Sequence, residues 1–354
     1  MRYDDAQRLV RLWSRSTRRL TQSLDEFIRL TLQDNSESNL TGKGREQHLT
    51  PGPSAGFLEI SGQRLCACPP SHINCMTAKE WLKSQLGVWQ FFYEGRDIRD
   101  KTEHPATFPI SLARHVIRLL SHRGELVLDP FVGSGTTLLA ARDEDRNAVG
   151  FDLQQRYVDL SLSRLGEQPP FGHTQQAAIC DDARSIPSYL RPESTTLIFT
   201  SPPYANLLNR KRKNKSRRYR DNGQLGKIEQ YSQDPRDLGT LALEEYTSEM
   251  GAIFERLLPL LKPRAHCVIN VPDMWWEDER ITIHIALVEE LRRRGYELRN
   301  IIIWDRTNIV NRIGIFGWPS NYITMGVTFE YLLDFRKPPD GKGRKDSTPR
   351  GPHV

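Results

Sequence analysis

At 354 residues, 38% hydrophobic and 27% charged, the chain can bury one large α/β core or two modest ones, and wholesale disorder is excluded. The 50 Lys and Arg exceed the 44 Asp and Glu only mildly, so net charge alone does not specify a polyanionic partner. No run of ~18 apolar residues spans a bilayer, and the N-terminus lacks an apolar signal core. The 5 cysteines, an odd number, suit a reducing cytosol rather than a disulfide framework.

Residues 1–33 carry Leu9, Val10, Leu12, Trp13, Leu20, Leu24, Phe27, Ile28 and Leu30 at helical spacing, which predicts an N-terminal helical segment. Residues 34–75 begin with a stretch rich in Gly, Ser and Pro and read as a linker or irregular segment. Within it Cys66, Cys68 and Cys75 lie close to His72. Their spacing is not a pair of Cys-x-x-Cys knuckles, and no metal is assigned to them.

From residue 76 the texture changes. MTAKEWLKSQLGVWQFFYEG predicts a helix rich in aromatics, and FPISLARHVIRLLS a helix starting after Pro109. ELVLDPF, NAVGFD, AAICDDA and TTLIFTSPPY predict four strands, with LLAARDEDR and QQRYVDLSLSRLG as helices between them. EEYTSEMGAIFERLLPLLKP predicts a long helix ending at Pro263, and IHIALVEELRRRG a helix stopped by Gly295. HCVINVPD, LRNIIIWD and TFEYLLDFR complete the strand candidates. Strand and helix alternate, so the expected fold is α/β, Rossmann-like, a mostly parallel sheet with helices on both faces. This domain is expected over 76–337, with a basic insertion at 205–240 and a flexible tail at 338–354.

Three motifs carry the chemistry. In LVLDPFVGSGTTLLAA a strand delivers Asp129 to its carboxyl end, and Gly133 and Gly135 form a turn that opens a helix. Ligands sit at this point in open α/β sheets, and the glycines let the backbone approach closely. No lysine completes a phosphate loop, and the third glycine of a dinucleotide fingerprint is missing. About twenty residues on, Asp152 ends the next strand, placed either to accept the two ribose hydroxyls of a nucleoside or only to cap the following helix. Asp181 and Asp182 follow the third strand, where one of them can meet an adenine amino group. The second motif, Thr200-Ser201-Pro202-Pro203-Tyr204, ends the fourth strand. Its prolines remove two N–H donors, leaving carbonyl oxygens, a hydroxyl and an aromatic ring, a set that suits the amino group and flat face of a nucleobase. The third is RKRKNKSRRYR, with eight basic residues from Arg210 to Arg220 and no acid. Arg210, Lys211, Arg212, Lys213, Lys215, Arg217 and Arg218 suit nucleic-acid phosphates, although such a run is also often a solvated loop.

DPFVGSGTT together with TSPPY resembles the amino-methylating DNA methyltransferases, which modify cytosine N4 or adenine N6. The upstream HPATFPISLARHVI and the GFDLQQRYVDLSLSR segment resemble that family's other cofactor segments, and the likeness covers roughly residues 76–337. It implies S-adenosylmethionine as cofactor, held by Phe108, Pro109, Asp129, Pro130, Phe131, Gly133, Gly135, Thr136, Asp152, Asp181 and Asp182. It implies double-stranded DNA as substrate, with the target base flipped out and met by Ser201, Pro202, Pro203 and Tyr204. Trp318 and Tyr322 are weaker candidates for walls of the base pocket. Serine before Pro-Pro-Tyr suggests cytosine N4, where aspartate would suggest adenine N6. The cofactor motif precedes the Pro-Pro-Tyr motif here, unlike the commonest cytosine-N4 arrangement.

A cytoplasmic, nucleoid-associated enzyme of a restriction-modification or defence system is therefore expected, with a cognate restriction endonuclease or defence protein as a candidate partner. The alternatives are adenine-N6 methylation of DNA, amino-methylation of RNA or tRNA, and a catalytically idle DNA-binding protein. An idle protein would have no chemical need for the combined motifs.

Overall fold

Three short apolar segments, Leu126–Asp129 (β2), Asn147–Asp152 (β3) and Thr195–Thr200 (β5), lie side by side as the parallel centre of an eight-stranded sheet. The computed structural model describes residues 56–69, 72–95, 97, 108–166, 174–205, 234–276, 279–308 and 327–339. The expected N-terminal helices, the basic run, Trp318, Tyr322 and the tail from residue 340 lie outside these residues.

In chain order the described elements begin with α1 (Ala78–Ser84), β1 (Val88–Gln90), α2 (Ile110–Leu120), β2, α3 (Thr136–Asp143), β3 and α4 (Gln155–Gly166). They continue with β4 (Gln176–Cys180), a 3₁₀ turn at Ala183–Ser188, β5, a 3₁₀ turn at Leu238–Thr240 and α5 (Leu243–Leu257). The remainder is a 3₁₀ turn at Leu258–Leu260, β6 (Leu261–Val271), β7 (Met274–Trp276), β8 (Glu279–Ile281), α6 (Ile283–Arg293), β9 (Glu297–Asp305) and β10 (Phe329–Arg336).

The sheet order is β1-β9-β10-β6-β5-β2-β3-β4. Only β10 runs antiparallel to its two neighbours, so the sheet is mostly parallel. The chain leaves β2 toward β3 and β4, then returns to place β5 on the other side of β2. That reversal is a topological switch point, and the carboxyl ends of β2 and β5 flank a crevice there.

Side chains alternate across the sheet with the two-residue period of a strand. Leu126, Leu128, Val149, Phe151 and Ile198 point to one face, where they pack with Tyr246, Met250, Ile253 and Phe254 of α5 and with Leu287 and Leu291 of α6. Val127, Ala148, Leu197 and Phe199 point to the other, against Leu112, Ala113, Val116 and Ile117 of α2 and Leu138 and Leu139 of α3. Both faces are therefore covered, which is why the central strands read as continuous apolar runs. Among the described residues, no helix is long and apolar enough to cross a membrane.

Two expectations are corrected. The helix predicted from residue 76 stops at Ser84, and Val88–Gln90 instead forms β1, parallel to β9. A Thr77–Glu80 capping box starts the short helix, and Gly87 with the β-prone Val-Trp pair ends the helical tendency. The helix predicted to reach Pro263 ends at Leu257, because Pro259 removes a helical donor. Pro263 lies inside β6, beside Arg264 at φ 65, where the register between β5 and β6 shifts.

Candidate active site

The glycine turn after β2 is held from below by α4. Ser161 Oγ donates to the Gly133 carbonyl at 2.8 Å, and the buried Arg164 guanidinium donates to Ser134 and Thr136. Gly135, at φ 80, is the N-cap of α3. A Cβ there would lie 2.8 Å from the Ser161 side chain, so both the backbone conformation and the close approach require glycine. Asp152 closes the turn from β3, where one carboxylate oxygen accepts from Gly133 N at 3.1 Å and the other from Gln154 N at 2.9 Å. Burial raises its carboxyl to about 6, against the lowering effect of those two N–H donors.

Asp129 sits behind this turn rather than in the crevice. It is 2% exposed, accepts from Phe131 N at 3.1 Å and from the Thr200 hydroxyl at 2.6 Å, and burial pushes its carboxyl up to about 6. Pro109 likewise stays off the crevice as the N-cap of α2, and it has no side-chain capping group. The buried carboxylate of Asp97 takes over that task, accepting from Ile110 N at 3.1 Å and Glu94 N at 2.7 Å. It thereby fixes the entry to α2 beside Phe108.

The crevice at this switch point has a cavity volume of about 100 Å³. Phe108, Pro130, Phe131, Gly133, Thr136, Asp152, Asp181 and Asp182 line it, and so do Ser201, Pro202 and Pro203. The two motifs, separated in sequence, thus open onto one space. The two acids after β4 are both engaged. Asp181 accepts from the Tyr189 hydroxyl at 2.7 Å, while Asp182 caps the next turn and pairs with Arg184 at 2.9 Å. Burial and the neighbouring Asp181 raise the Tyr189 phenol to about 12.

At the end of β5 the Ser201 and Tyr204 hydroxyls are 3.0 Å apart. Asn270 Nδ2, at the end of β6, donates to Ser201 Oγ at 3.4 Å and to Glu330 at 2.6 Å. Glu330 is buried and also paired with Arg306. Burial raises its carboxyl, partly offset by Arg306 and Asn270. Sequence reasoning did not single out Asn270, Glu330 or Arg306. It also passed over Arg236, Asp237 and Leu238, which line the crevice from the segment before α5.

A family model described as DNA methylase matches residues 26–163, a stretch that holds the glycine turn and Asp152. Type II methyltransferase M.BglI of Bacillus subtilis is 37% identical over 89 residues, 25% of this chain and 24% of that protein. M.ScaI of Streptomyces caespitosus is 40% identical over 87 residues, 23% of this chain and 29% of that protein.

Over residues 26–163 the chain is similar to DNA methylases that modify amino groups.

M.Cfr9I of Citrobacter freundii, another Type II methyltransferase, reaches 47% over 62 residues, 18% of this chain and 21% of that protein. The chain thus spans about a quarter of the length of the curated relatives it matches. A SAM-dependent methyltransferase from Methanosarcina mazei aligns over 64% of this chain and 98% of its own, at 10% identity and a TM-score of 0.39. The family match ends at residue 163. The Ser201-Pro202-Pro203-Tyr204 turn lies beyond it.

Proposed function

We propose that this methyltransferase transfers a methyl group from S-adenosylmethionine to the N4 amino group of cytosine in double-stranded DNA. The observation that carries this is the shared crevice, in which a nucleoside-type groove built on Gly133 and Asp152 continues into the Ser-Pro-Pro turn. The residues suit the cofactor. Asp152 can accept ribose hydroxyls, the turn opens a helix whose N-terminus favours a carboxylate, and Phe108 and Phe131 offer apolar walls. When bound, the cofactor supplies an electrophilic methyl group on a sulfonium.

The chain must position a poor nucleophile, because the cytosine amine delocalises its lone pair into the ring. A hydroxyl has one donor and two acceptor sites. If Ser201 donates to Tyr204 and accepts from Asn270, one lone pair remains for an amine hydrogen. The Pro202 carbonyl supplies a second acceptor, because neither proline brings an N–H that would repel the amine. Both acceptors gain strength as positive charge builds on the amine, which favours the transition state over the ground state. The base is unreachable inside a duplex, so it enters flipped out, with Tyr204, which packs against the core beside Ser201, expected to move its ring to the base. Phosphate contacts fall to the Arg210–Arg218 run, which adds affinity and little sequence information. Serine at position 201 favours cytosine over adenine, and a cognate restriction endonuclease fits the context.

The reading is tested by incubating the purified chain and labelled S-adenosylmethionine with duplex DNA and, in parallel, with tRNA, then identifying the methylated nucleoside. Label in DNA as an amino-methylated base supports it. Label confined to tRNA would move the assignment to RNA.

A further inference from the structure

Three cysteines and a histidine far from the crevice converge at the other end of the sheet. Cys66 and Cys68 lie on the irregular segment 56–69, Cys75 in the turn before α1, and His122 in the turn between α2 and β2. Their ligating atoms all lie within 4.8 Å of one another. Cys75 Sγ is 3.3 Å from Cys66 Sγ, 3.3 Å from Cys68 Sγ and 3.4 Å from His122 Nδ1, and Cys66 Sγ is 3.3 Å from the same nitrogen. A tetrahedron with metal–sulfur bonds of about 2.3 Å and metal–nitrogen bonds of about 2.0 Å has edges of roughly 3.5–3.8 Å, and these four separations come within about half an ångström of them. The histidine is His122, distant in sequence, and not the neighbouring His72.

The backbone around the cluster is fixed independently of any ion. Leu65 N donates to the Arg123 carbonyl at 2.7 Å, and Ile73 and Met76 exchange two bonds of 2.9 Å. Asn74 Nδ2 holds the Leu119 carbonyl at 2.7 Å, and His122 N donates to Glu125 at 2.7 Å. Asn74 and Cys75 adopt φ of 49 and 66, a left-handed conformation that side chains disfavour and that turns the Cys75 thiol into the group.

The geometry points to a structural zinc site formed by Cys66, Cys68, Cys75 and His122. Three soft thiolates and an imidazole select zinc over hard cations. Four protein ligands close the tetrahedron and leave no position for water or substrate, so the ion is structural rather than catalytic. It sits before the first residue of β2, whereas Asp129 and the crevice lie at the last. Its role is to clamp the 56–76 segment onto the turn that feeds the central strand. No standard finger spacing announces it, because the fourth ligand arrives 47 residues after Cys75.

Metal analysis of the full-length chain, purified with any histidine tag removed, tests this. The expected result is one zinc per chain, retained in His72→Ala and lost in Cys75→Ser and His122→Ala. Those two losses could reflect misfolding, so the wild-type chain is also reconstituted with Co²⁺. Intense visible d–d bands and a thiolate charge-transfer band are expected, and His122→Cys should keep the metal while shifting the bands. Zinc should also shield Cys66, Cys68 and Cys75 from alkylation, with Cys180 unaffected by the ion. A folded wild-type chain that binds neither Zn²⁺ nor Co²⁺, or that holds two of the three thiols as a disulfide, overturns the site.

Discussion

The Thr200 hydroxyl donates to the Asp129 carboxylate at 2.6 Å, and both side chains are buried. This bond ties the end of β5, which presents the Ser-Pro-Pro turn, to the end of β2, which launches the glycine turn. Asp129 thereby acts on both halves of the crevice without facing it. Thr200→Val preserves shape and removes the donor. Leaving a buried carboxyl oxygen without this partner should cost about 1–3 kcal/mol, measured by denaturant unfolding. An unchanged midpoint would mean the bond contributes nothing.

If Asp152 holds the cofactor ribose, cofactor affinity should depend on pH. Burial raises its carboxyl from 3.8 to about 6 in the folded, empty chain, so the folded state binds this proton more tightly than the unfolded one. Its contribution to the stability of the empty chain is full below pH ~4 and is lost as pH rises through about 6. Cofactor binding runs the opposite way, because ribose hydroxyls donate best to the ionised form. Affinity for S-adenosylmethionine should fall about tenfold from pH 7 to pH 5, and Asp152→Asn should flatten this profile while weakening binding throughout. Calorimetry across that range measures both effects, and a wild-type profile as flat as the variant's would exclude Asp152.

Ser201 and Asn270 should act as one unit. Ser201→Ala is expected to lower kcat on the order of 10²-fold while sparing cofactor affinity, by analogy with loss of an oxyanion donor. Asn270 donates to the Ser201 hydroxyl at 3.4 Å and is expected to act by positioning it. Asn270→Leu should lower kcat about tenfold alone and add little in the Ser201→Ala background, a coupling that only residues sharing one interaction display. Additive losses in single-turnover assays would separate the two residues.

Neutralising Arg210, Lys211, Arg212 and Lys213 together should weaken DNA binding and reduce the log–log salt slope by roughly three to four units. Fluorescence anisotropy over a salt series reads this directly. An unchanged slope would make the run a solvated loop.

The central architecture was legible in the sequence for a physical reason. Strands buried on both faces must be apolar throughout, so LVLD, NAVGFD and TTLIFT announce themselves, and each delivers its polar residue to the crevice end. Pro-Pro and the glycine turn are local devices, and local devices survive reading one residue at a time. Contacts across strands do not. Asn270 lies 69 positions from Ser201 and 60 from Glu330, and nothing near any of the three marks the others as partners. β1 was hidden because an edge strand of three residues inside an aromatic stretch carries too short a pattern to distinguish it from the preceding helix. His122 was hidden behind His72, which is closer in sequence and absent from the cysteine cluster.

The most direct test of the central claim is mass spectrometry of nucleosides from duplex DNA digested after incubation with the full chain and S-adenosylmethionine. The account predicts N4-methylcytosine, abolished or nearly so in Ser201→Ala. N6-methyladenine in its place would contradict the cytosine assignment, and DNA with no methylated base at all would contradict the account as a whole.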